Sequence, residues 1–139
     1  MKFKKFKFKR VKSTNNTAIK VIKKTNYTYG MVIAETQSKG KGQYGRKWIS
    51  TKGNIFVSFF NEINKTNLSI DAITKINCLL VKKLLSKFTT KKILFKKPND
   101  LLIEKKKISG ILQEVILIND KKFLITGIGI NIIKNPKIK

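Results

Sequence analysis

The sequence predicts an α+β domain in which a mixed or antiparallel sheet is backed by two helices. Two segments place apolar residues at helical spacing, one ending near residue 24 and one over about residues 70–87. The rest of the chain is dominated by short apolar runs separated by Gly, Asn, Asp or Pro, a pattern typical of strands and turns. Its 139 residues fit one domain with a single substantial core.

The first half of the chain is predicted to form three strands and one helix. In residues 2–12, phenylalanines alternate with lysines, which favours a short edge strand whose charges discourage pairing with other chains. Ser13 and the two residues after it supply N-cap chemistry for a helix that ends near residue 24. Residues 29–35 form the second predicted strand, and residues 54–60 the third, which should be buried on both faces.

The second half is predicted to contain the long helix and an antiparallel meander. Ser69, with Asp71 two residues later, provides a helix start in which the acid complements the helix dipole. Cys78 lies within this helix and is interpreted as a packing residue. Short apolar runs then predict four strands, and because their connections are short, neighbouring strands should be antiparallel. These runs cover residues 93–95, 101–103, 108–118 and 123–133.

The charge of the chain is strongly positive, with a net value of +25 and only seven acidic residues. Such a balance raises nucleic-acid binding as one hypothesis. However, the cations are scattered along the chain, and all are lysine except Arg10 and Arg46. Dedicated nucleic-acid surfaces instead use arginine forks and stacked aromatics. Because Lys, Asn and Ile are abundant together, A/T-rich codon bias is the preferred explanation, and a basic nucleic-acid-binding module stays the alternative.

Composition also limits the chemistry and the location. The chain has no histidine and one cysteine, which excludes a Ser-His-Asp triad and a zinc site, and no metal ligand is assigned. The sequence contains no run of about 18 apolar residues, so no membrane span is predicted. The N-terminus also lacks the apolar segment that a signal peptide would have. The lone Cys78 fits a reducing compartment, so a cytoplasmic location is expected.

The most informative segment is residues 34–48, in which Gly40, Gly42 and Gly45 lie among cations and precede the only tryptophan. Glycines let a loop turn tightly and direct successive N–H groups at one anion, so a phosphate or carboxylate ligand is predicted. The spacing Gly-x-Gly-x-x-Gly matches a dinucleotide fingerprint, but no helix follows the loop, which rules out a Rossmann site.

This loop resembles the signature of biotin–protein ligases, Gln-x-x-Gly-[Arg/Lys]-Gly-x-x-Gly-Arg-x-Trp-x-Ser. Three further stretches are similar to motifs of that family and occur in the same order over residues 13–132. They are Ser13-Thr14-Asn15, then Lys96-Lys97-Pro98-Asn99-Asp100 followed by Lys107-Ile108-Ser109-Gly110-Ile111-Leu112, and finally Gly127-Ile128-Gly129-Ile130-Asn131. Each motif alone is weak, and the four together form a specific match.

The resemblance implies a class II synthetase-like biotin/lipoate ligase fold and an ATP-dependent biotin–protein ligase. Such an enzyme activates biotin as biotinyl-5'-AMP, with ATP and Mg²⁺, and transfers it to a lysine of the biotin carboxyl-carrier domain of a carboxylase. No specific DNA and no membrane are expected as partners, and a homodimer through the sheet is left open. A lipoate–protein ligase or octanoyltransferase, and a catalytically impaired remnant, are the alternatives.

The resemblance also implies roles for individual residues. Lys96 matches the family lysine that contacts both biotin and the α-phosphate, and is the predicted electrostatic catalyst. The predicted residues for biotin and biotinyl-AMP are Ser13, Thr14, Asn15, Gln37, Gly40, Lys41, Gly42, Gln43 and Lys96. Those predicted for the nucleotide are Arg46, Trp48, Asn99, Lys107 and Asn131.

Several positions depart from the family pattern. Lys97 replaces the usual tryptophan beside the catalytic lysine, and Lys41 replaces a commoner arginine and loses its bidentate fork. The family's helical segment and small β domain do not follow residue 132, and no winged helix precedes residue 13. The sequence therefore predicts a single catalytic domain over residues 1–139, C-terminally shortened, with no repressor role.

Overall fold

A computed structural model describes residues 3–64 and 68–132, which form seven strands and two helices. The helices are α1 (Thr14–Lys24) and α2 (Ile70–Leu85). The strands are β1 (Lys4–Val11), β2 (Tyr29–Gln37), β3 (Ile55–Glu62), β4 (Leu94–Lys96), β5 (Asp100–Ile103), β6 (Lys106–Ile118) and β7 (Lys121–Ile130).

All seven strands belong to one mixed sheet with the order β1-β2-β3-β7-β6-β5-β4. Only the pair β1–β2 is parallel among the described strands, and α1 forms the crossover between its two members. The other neighbours are antiparallel, including the meander from β4 to β7. This confirms the predicted α+β fold with two helices, and β1 lies at the sheet edge as its lysines indicated.

The helix α1 covers one side of the sheet, here called the front face. Its buried residues Ala18, Val21 and Ile22 pack against Val32, Phe60 and Ile125 of β2, β3 and β7, together with Ile118 and Phe123. The spacing of the helical residues in this cluster explains why the helix forms here, since most helix stability in proteins comes from packing an apolar face. The apolar core of the front face therefore lies beneath the second half of α1.

The helix α2 packs on the opposite side, the back face. Cys78 and Val81 contact a cluster that includes Ile93, Leu101, Ile111 and Ile130. Burial, and secondarily the charge of Asp100, raises the pKa of the Cys78 thiol to about 11. Cys78 is thus a buried apolar-like residue, in agreement with the predicted packing role.

The element boundaries differ slightly from those predicted. Helix α2 ends at Leu85, two residues early, where the chain changes to i→i−3 bonds from the Lys87 and Phe88 amides to the carbonyls of Leu84 and Leu85. The last strand ends at Ile130, and residue 133 of its predicted range lies outside the described residues. Within the described ranges, neither helix has the length and apolar character needed to cross a membrane.

Candidate ligand site

The start of α1 supplies a cluster of buried polar residues on the front face. Ser13, Thr14 and Asn15 each expose at most 4% of their surface. Ser13 is the N-cap, and its hydroxyl oxygen accepts from the Asn16 amide at 3.0 Å. The Thr14 amide donates to Gln37 Oε1 at 2.7 Å, so the end of β2 satisfies another free N–H of the first turn. The motif is thereby joined to Gln37 through the Thr14 amide.

A fully buried serine in β3 fixes the side chains of the motif. Ser58 Oγ lies 2.7 Å from Thr14 Oγ1 and 2.5 Å from Asn15 Oδ1. Because a hydroxyl carries one proton and an amide oxygen only accepts, the Ser58 proton points to Asn15, and the Thr14 hydroxyl donates to Ser58. Asn15 also fills the space above Gly127, where an added Cβ would lie 2.3 Å from Asn15 Oδ1. Sequence reasoning missed Ser58, although a lone hydroxyl within an apolar strand was a signal.

The glycine loop is a small hairpin over residues 40–48. Gly40 lies at its base, where an added Cβ would lie 2.4 Å from the Trp48 carbonyl oxygen and 2.9 Å from Gln37 Nε2. The Trp48 amide donates to the Gly40 carbonyl at 2.8 Å, and the Gly42 amide donates to the Arg46 carbonyl at 2.7 Å. Gln37 Nε2 donates to Ser50 Oγ, which ties the hairpin to β2.

The tip of the hairpin projects into solvent. A short 3₁₀ turn spans Gln43–Gly45, with Tyr44 and Gly45 in the left-handed region at φ 56° and 73°. The Arg46 amide donates back to the Gln43 carbonyl. Three N–H groups of the loop are therefore used inside it, which differs from the expectation that they point at an anion. In this conformation the loop offers its cationic side chains, of which Arg46 is exposed.

Lys41 connects the loop to both α1 and β6. Its ammonium group donates to Asn16 Oδ1 at 2.7 Å and lies 3.2 Å from Glu114 Oε1. Asn15 Nδ2 donates to the same carboxylate oxygen at 2.9 Å. Predicted residues Lys41 and Asn15 are thus brought together by Glu114, which sequence reasoning also missed.

Trp48 lies flat against two glycines of the front face. Added Cβ atoms would lie 2.5 Å from its Cε2 at Gly129 and 2.9 Å from its Cζ3 at Gly110, so only glycine admits the ring at this distance. Lys107 Nζ lies 5.0 Å from the ring centroid and 2.9 Å from Asp100 Oδ1, which satisfies that buried oxygen. The indole N–H is buried and has no hydrogen-bond partner among the described residues.

The asparagines predicted near the nucleotide tie strand ends together. Asn131 Nδ2 donates to the Lys107 carbonyl at 3.2 Å, and Asn131 Oδ1 accepts from Asn54 at 3.3 Å. Asn99 Nδ2 donates to the Ile111 carbonyl at 2.9 Å. Both amides hold backbone at the edge of the surface on which Trp48 lies.

The sheet register places Lys96 on the same surface. Lys96 pairs with Asp100, Asp100 with Gly110, and Gly110 with Gly129, so these four residues form one row across β4, β5, β6 and β7. Directly opposed residues share a face, and neighbouring strands lie about 4.8 Å apart, so Lys96 starts about 10 Å from Gly110. Its side chain is exposed, and no carboxylate of the described ranges forms an ion pair with it.

Two hollows lie away from this surface. One, of about 220 Å³, lies at the end of α1 beside Tyr27 and Phe123, and an open groove of about 800 Å³ lies on the back face beside α2. Neither is lined by the predicted site residues.

The chain is thus an α+β domain in which a helix start, a cationic loop and two strands that carry glycines meet on one face of the sheet. Residues 7–131 match the model of the Biotin/lipoate A/B protein ligase family, and the chain belongs to that family. It is 33% identical over 101 residues to the bifunctional ligase/repressor BirA of Escherichia coli, which covers 71% of this chain and 32% of BirA. The chain therefore spans about a third of the length of that curated relative.

Solved structures of two relatives share the fold. The biotin protein ligase of Aquifex aeolicus, solved in complex with biotin and ATP, matches with a TM-score of 0.77 and 34% identity over 99% of this chain and 56% of that chain. The biotin protein ligase of Leishmania major, solved in complex with biotinyl-5-AMP, matches with a TM-score of 0.81 and 25% identity over 99% of this chain and 61% of that chain. The biotin/lipoate ligase fold expected from the sequence is confirmed.

Proposed function

We propose that this chain activates biotin with ATP as biotinyl-5'-AMP and transfers the biotinyl group to a lysine of a carboxylase biotin-carrier domain. The observation that carries the proposal is the convergence of Ser13–Asn15, Gln37 and the glycine loop on one face of the sheet, beside the Gly110–Gly129 surface. Family membership and relatives solved with biotin, ATP or biotinyl-5-AMP support it.

The proposed reaction has two displacements. A biotin carboxylate oxygen attacks the α-phosphorus of ATP and pyrophosphate leaves; an acceptor lysine amine then attacks the acyl carbon and AMP leaves. Two anions must meet in the first step, so positioning and positive charge are what the protein must supply. ATP enters as its magnesium complex, in which Mg²⁺ is held largely by the phosphates and water.

The chain offers groups of suitable chemistry for each part of the substrates. The ureido ring of biotin both donates and accepts hydrogen bonds. The hydroxyl and amide groups of the assigned residues do the same, namely those of Ser13, Thr14, Asn15 and Gln37. We assign the α-phosphate and the carboxylate to Lys96, with Lys41, Gly42 and Gln43 of the loop beside them. The adenine side is assigned to Trp48, with Arg46, Asn99, Lys107 and Asn131 around it.

The test is biotin-dependent exchange of labelled pyrophosphate into ATP by the purified chain with Mg²⁺. Exchange should appear with biotin and not with lipoate. Lys96→Ala should lower the rate by about two orders of magnitude or more, the scale found for removing one preorganised electrostatic group. Lys92→Ala is the matched control, because it removes the same charge from an exposed position on the same approach to β4.

The outcomes separate the alternatives. Exchange with lipoate alone would assign the chain to the lipoate branch of the family. Biotin binding without exchange would leave a binding remnant, and equal exchange by Lys96→Ala and Lys92→Ala would remove Lys96 from the catalytic role. Transfer is tested separately, by incorporation of labelled biotin into a purified carrier domain.

A further inference from the structure

Glu114 is one of only seven acidic residues in a chain of net charge +25, and it lies in the candidate site. Its carboxylate is mostly shielded, with 29% of the side chain exposed. One oxygen, Oε1, accepts from Asn15 Nδ2 at 2.9 Å and lies 3.2 Å from Lys41 Nζ. A single carboxylate therefore contacts two of the residues assigned to biotin.

The first contact fixes the orientation of the Asn15 amide. Asn15 Nδ2 lies between Glu114 Oε1 and the Leu112 carbonyl, 3.4 Å away, and both of these atoms only accept. Rotating the amide by half a turn would direct Asn15 Oδ1 at two acceptors and its NH₂ group at Ser58. The negative charge of Glu114 thus keeps Asn15 Oδ1 directed at the Ser58 hydroxyl.

The second contact holds the glycine loop. Lys41 belongs to the hairpin, whereas Glu114 belongs to β6 and Asn16 to α1, so the ammonium group joins three elements. In a chain with so many cations, the loop would otherwise be repelled from its surroundings.

We propose that Glu114 is a positioning residue of the site: its carboxylate orients the Asn15 amide and holds Lys41, which keeps the glycine loop against the start of α1. Its relevance to catalysis rests on the proposed function, in which Asn15 and Lys41 contact biotin. Its effect on the loop is independent of any ligand. The two effects can be measured separately.

Two substitutions separate the two contacts. Glu114→Gln retains an oxygen that accepts from Asn15 but removes the charge that holds Lys41. Glu114→Ala removes both. Glu104→Gln is the matched control, because it removes one negative charge from an exposed ion pair with Lys91, whose atoms lie 3.5 Å apart, away from the site.

The first measurement is amide hydrogen exchange of residues 40–48 in the ligand-free protein. We expect exchange to be about two- to fivefold faster in Glu114→Gln and Glu114→Ala, as the strength of a partly exposed ion pair predicts, and unchanged in Glu104→Gln. The difference between wild type and Glu114→Gln should shrink in high salt, since salt screens the pair. Equal exchange in all four proteins would overturn the proposal.

The second measurement is biotin affinity by calorimetry. Glu114→Ala should bind about tenfold more weakly than wild type, since it releases the Asn15 amide, and Glu114→Gln should recover most of that loss. Equal weakening by both variants would refute the orienting role of Glu114. If wild type binds no biotin, the proposed function fails, while the exchange measurement still decides the loop contact. Thermal unfolding shows whether Glu114→Ala is folded, and Glu114→Gln carries the loop test if it is not.

Discussion

The contact between Gly127 and Asn15 gives the sharpest test of how the site is assembled. An alanine Cβ at residue 127 would lie 2.3 Å from Asn15 Oδ1 and 3.0 Å from Asn15 Cγ, far inside van der Waals contact. Asn15 cannot yield freely, because Ser58 and Glu114 hold both ends of its amide. Gly127→Ala must therefore displace Asn15 from these partners.

The magnitude follows from the bonds that are lost. A neutral hydrogen bond contributes about 0.5–1.5 kcal/mol to stability and one to a charged group about 1.5–3 kcal/mol. Losing the bonds to Ser58 and Glu114 should cost roughly 2–4 kcal/mol in the free energy of unfolding. Domains of this size are stable by about 5–15 kcal/mol, so the variant should still fold.

A double-mutant cycle with Asn15→Ala isolates the contact. Asn15→Ala alone should cost a similar amount, but it also removes the atoms that an alanine at residue 127 would strike. In that background Gly127→Ala should be nearly neutral, so the coupling free energy between the two sites should equal the cost of Gly127→Ala alone, roughly 2–4 kcal/mol.

Urea unfolding followed by circular dichroism measures all four proteins. Ser109→Ala provides a control for the general loss of a buried hydrogen bond in the sheet, because Ser109 donates to the Gly129 carbonyl away from Asn15. Additive costs of Gly127→Ala and Asn15→Ala, to within about 0.5 kcal/mol, would refute the inferred packing of Asn15 on Gly127.

Two further predictions concern the single tryptophan and the single cysteine. Gly129→Ala should push the indole of Trp48 off the sheet, because the added Cβ would lie 2.5 Å from Trp48 Cε2. The tryptophan fluorescence maximum should then move to longer wavelength. Gly42→Ala is the control and should leave the maximum unchanged, because the atom nearest to its added Cβ lies 3.4 Å away. Cys78 should resist alkylation in the folded protein at pH 8, because burial raises its pKa to about 11 and leaves roughly one thiol in a thousand as thiolate. In urea, where the thiol is exposed, alkylation should be at least a hundredfold faster. The unfolded thiol ionises near pH 9 and the folded thiol near pH 11, so stability should fall between these values; a pH-independent free energy of unfolding there would contradict the shift.

Local sequence patterns were enough to predict most of the fold. The apolar faces of α1 and α2, their serine N-caps and the alternating strands are set by residues a few positions apart, and the structure has each of them. Helix α2 ends two residues earlier than its apolar pattern, since the chain changes to i→i−3 bonds after Leu85 and the apolar spacing does not record that change.

The site was less accessible to such reasoning, because long-range contacts build it. Ser58 meets Asn15 across 43 positions, and Glu114 meets Asn15 across 99. Neither is marked by a motif, so only the sheet register reveals them. The expectation for the glycine loop differed for a related reason: its N–H groups bond across the hairpin, a pairing that depends on how Gly40 and Trp48 meet.

The carboxylates that form ion pairs differ in how far they are shielded from solvent. Asp100 and Glu114 are the more shielded partners of these ion pairs, at 15% and 29% side-chain exposure, and each holds a lysine assigned to the site, Lys107 and Lys41. The pair at Glu104 is 66% exposed and lies elsewhere. The two shielded carboxylates therefore supply the opposite charge that holds Lys107 and Lys41 in place, whereas the exposed pair of Glu104 with Lys91 should contribute little.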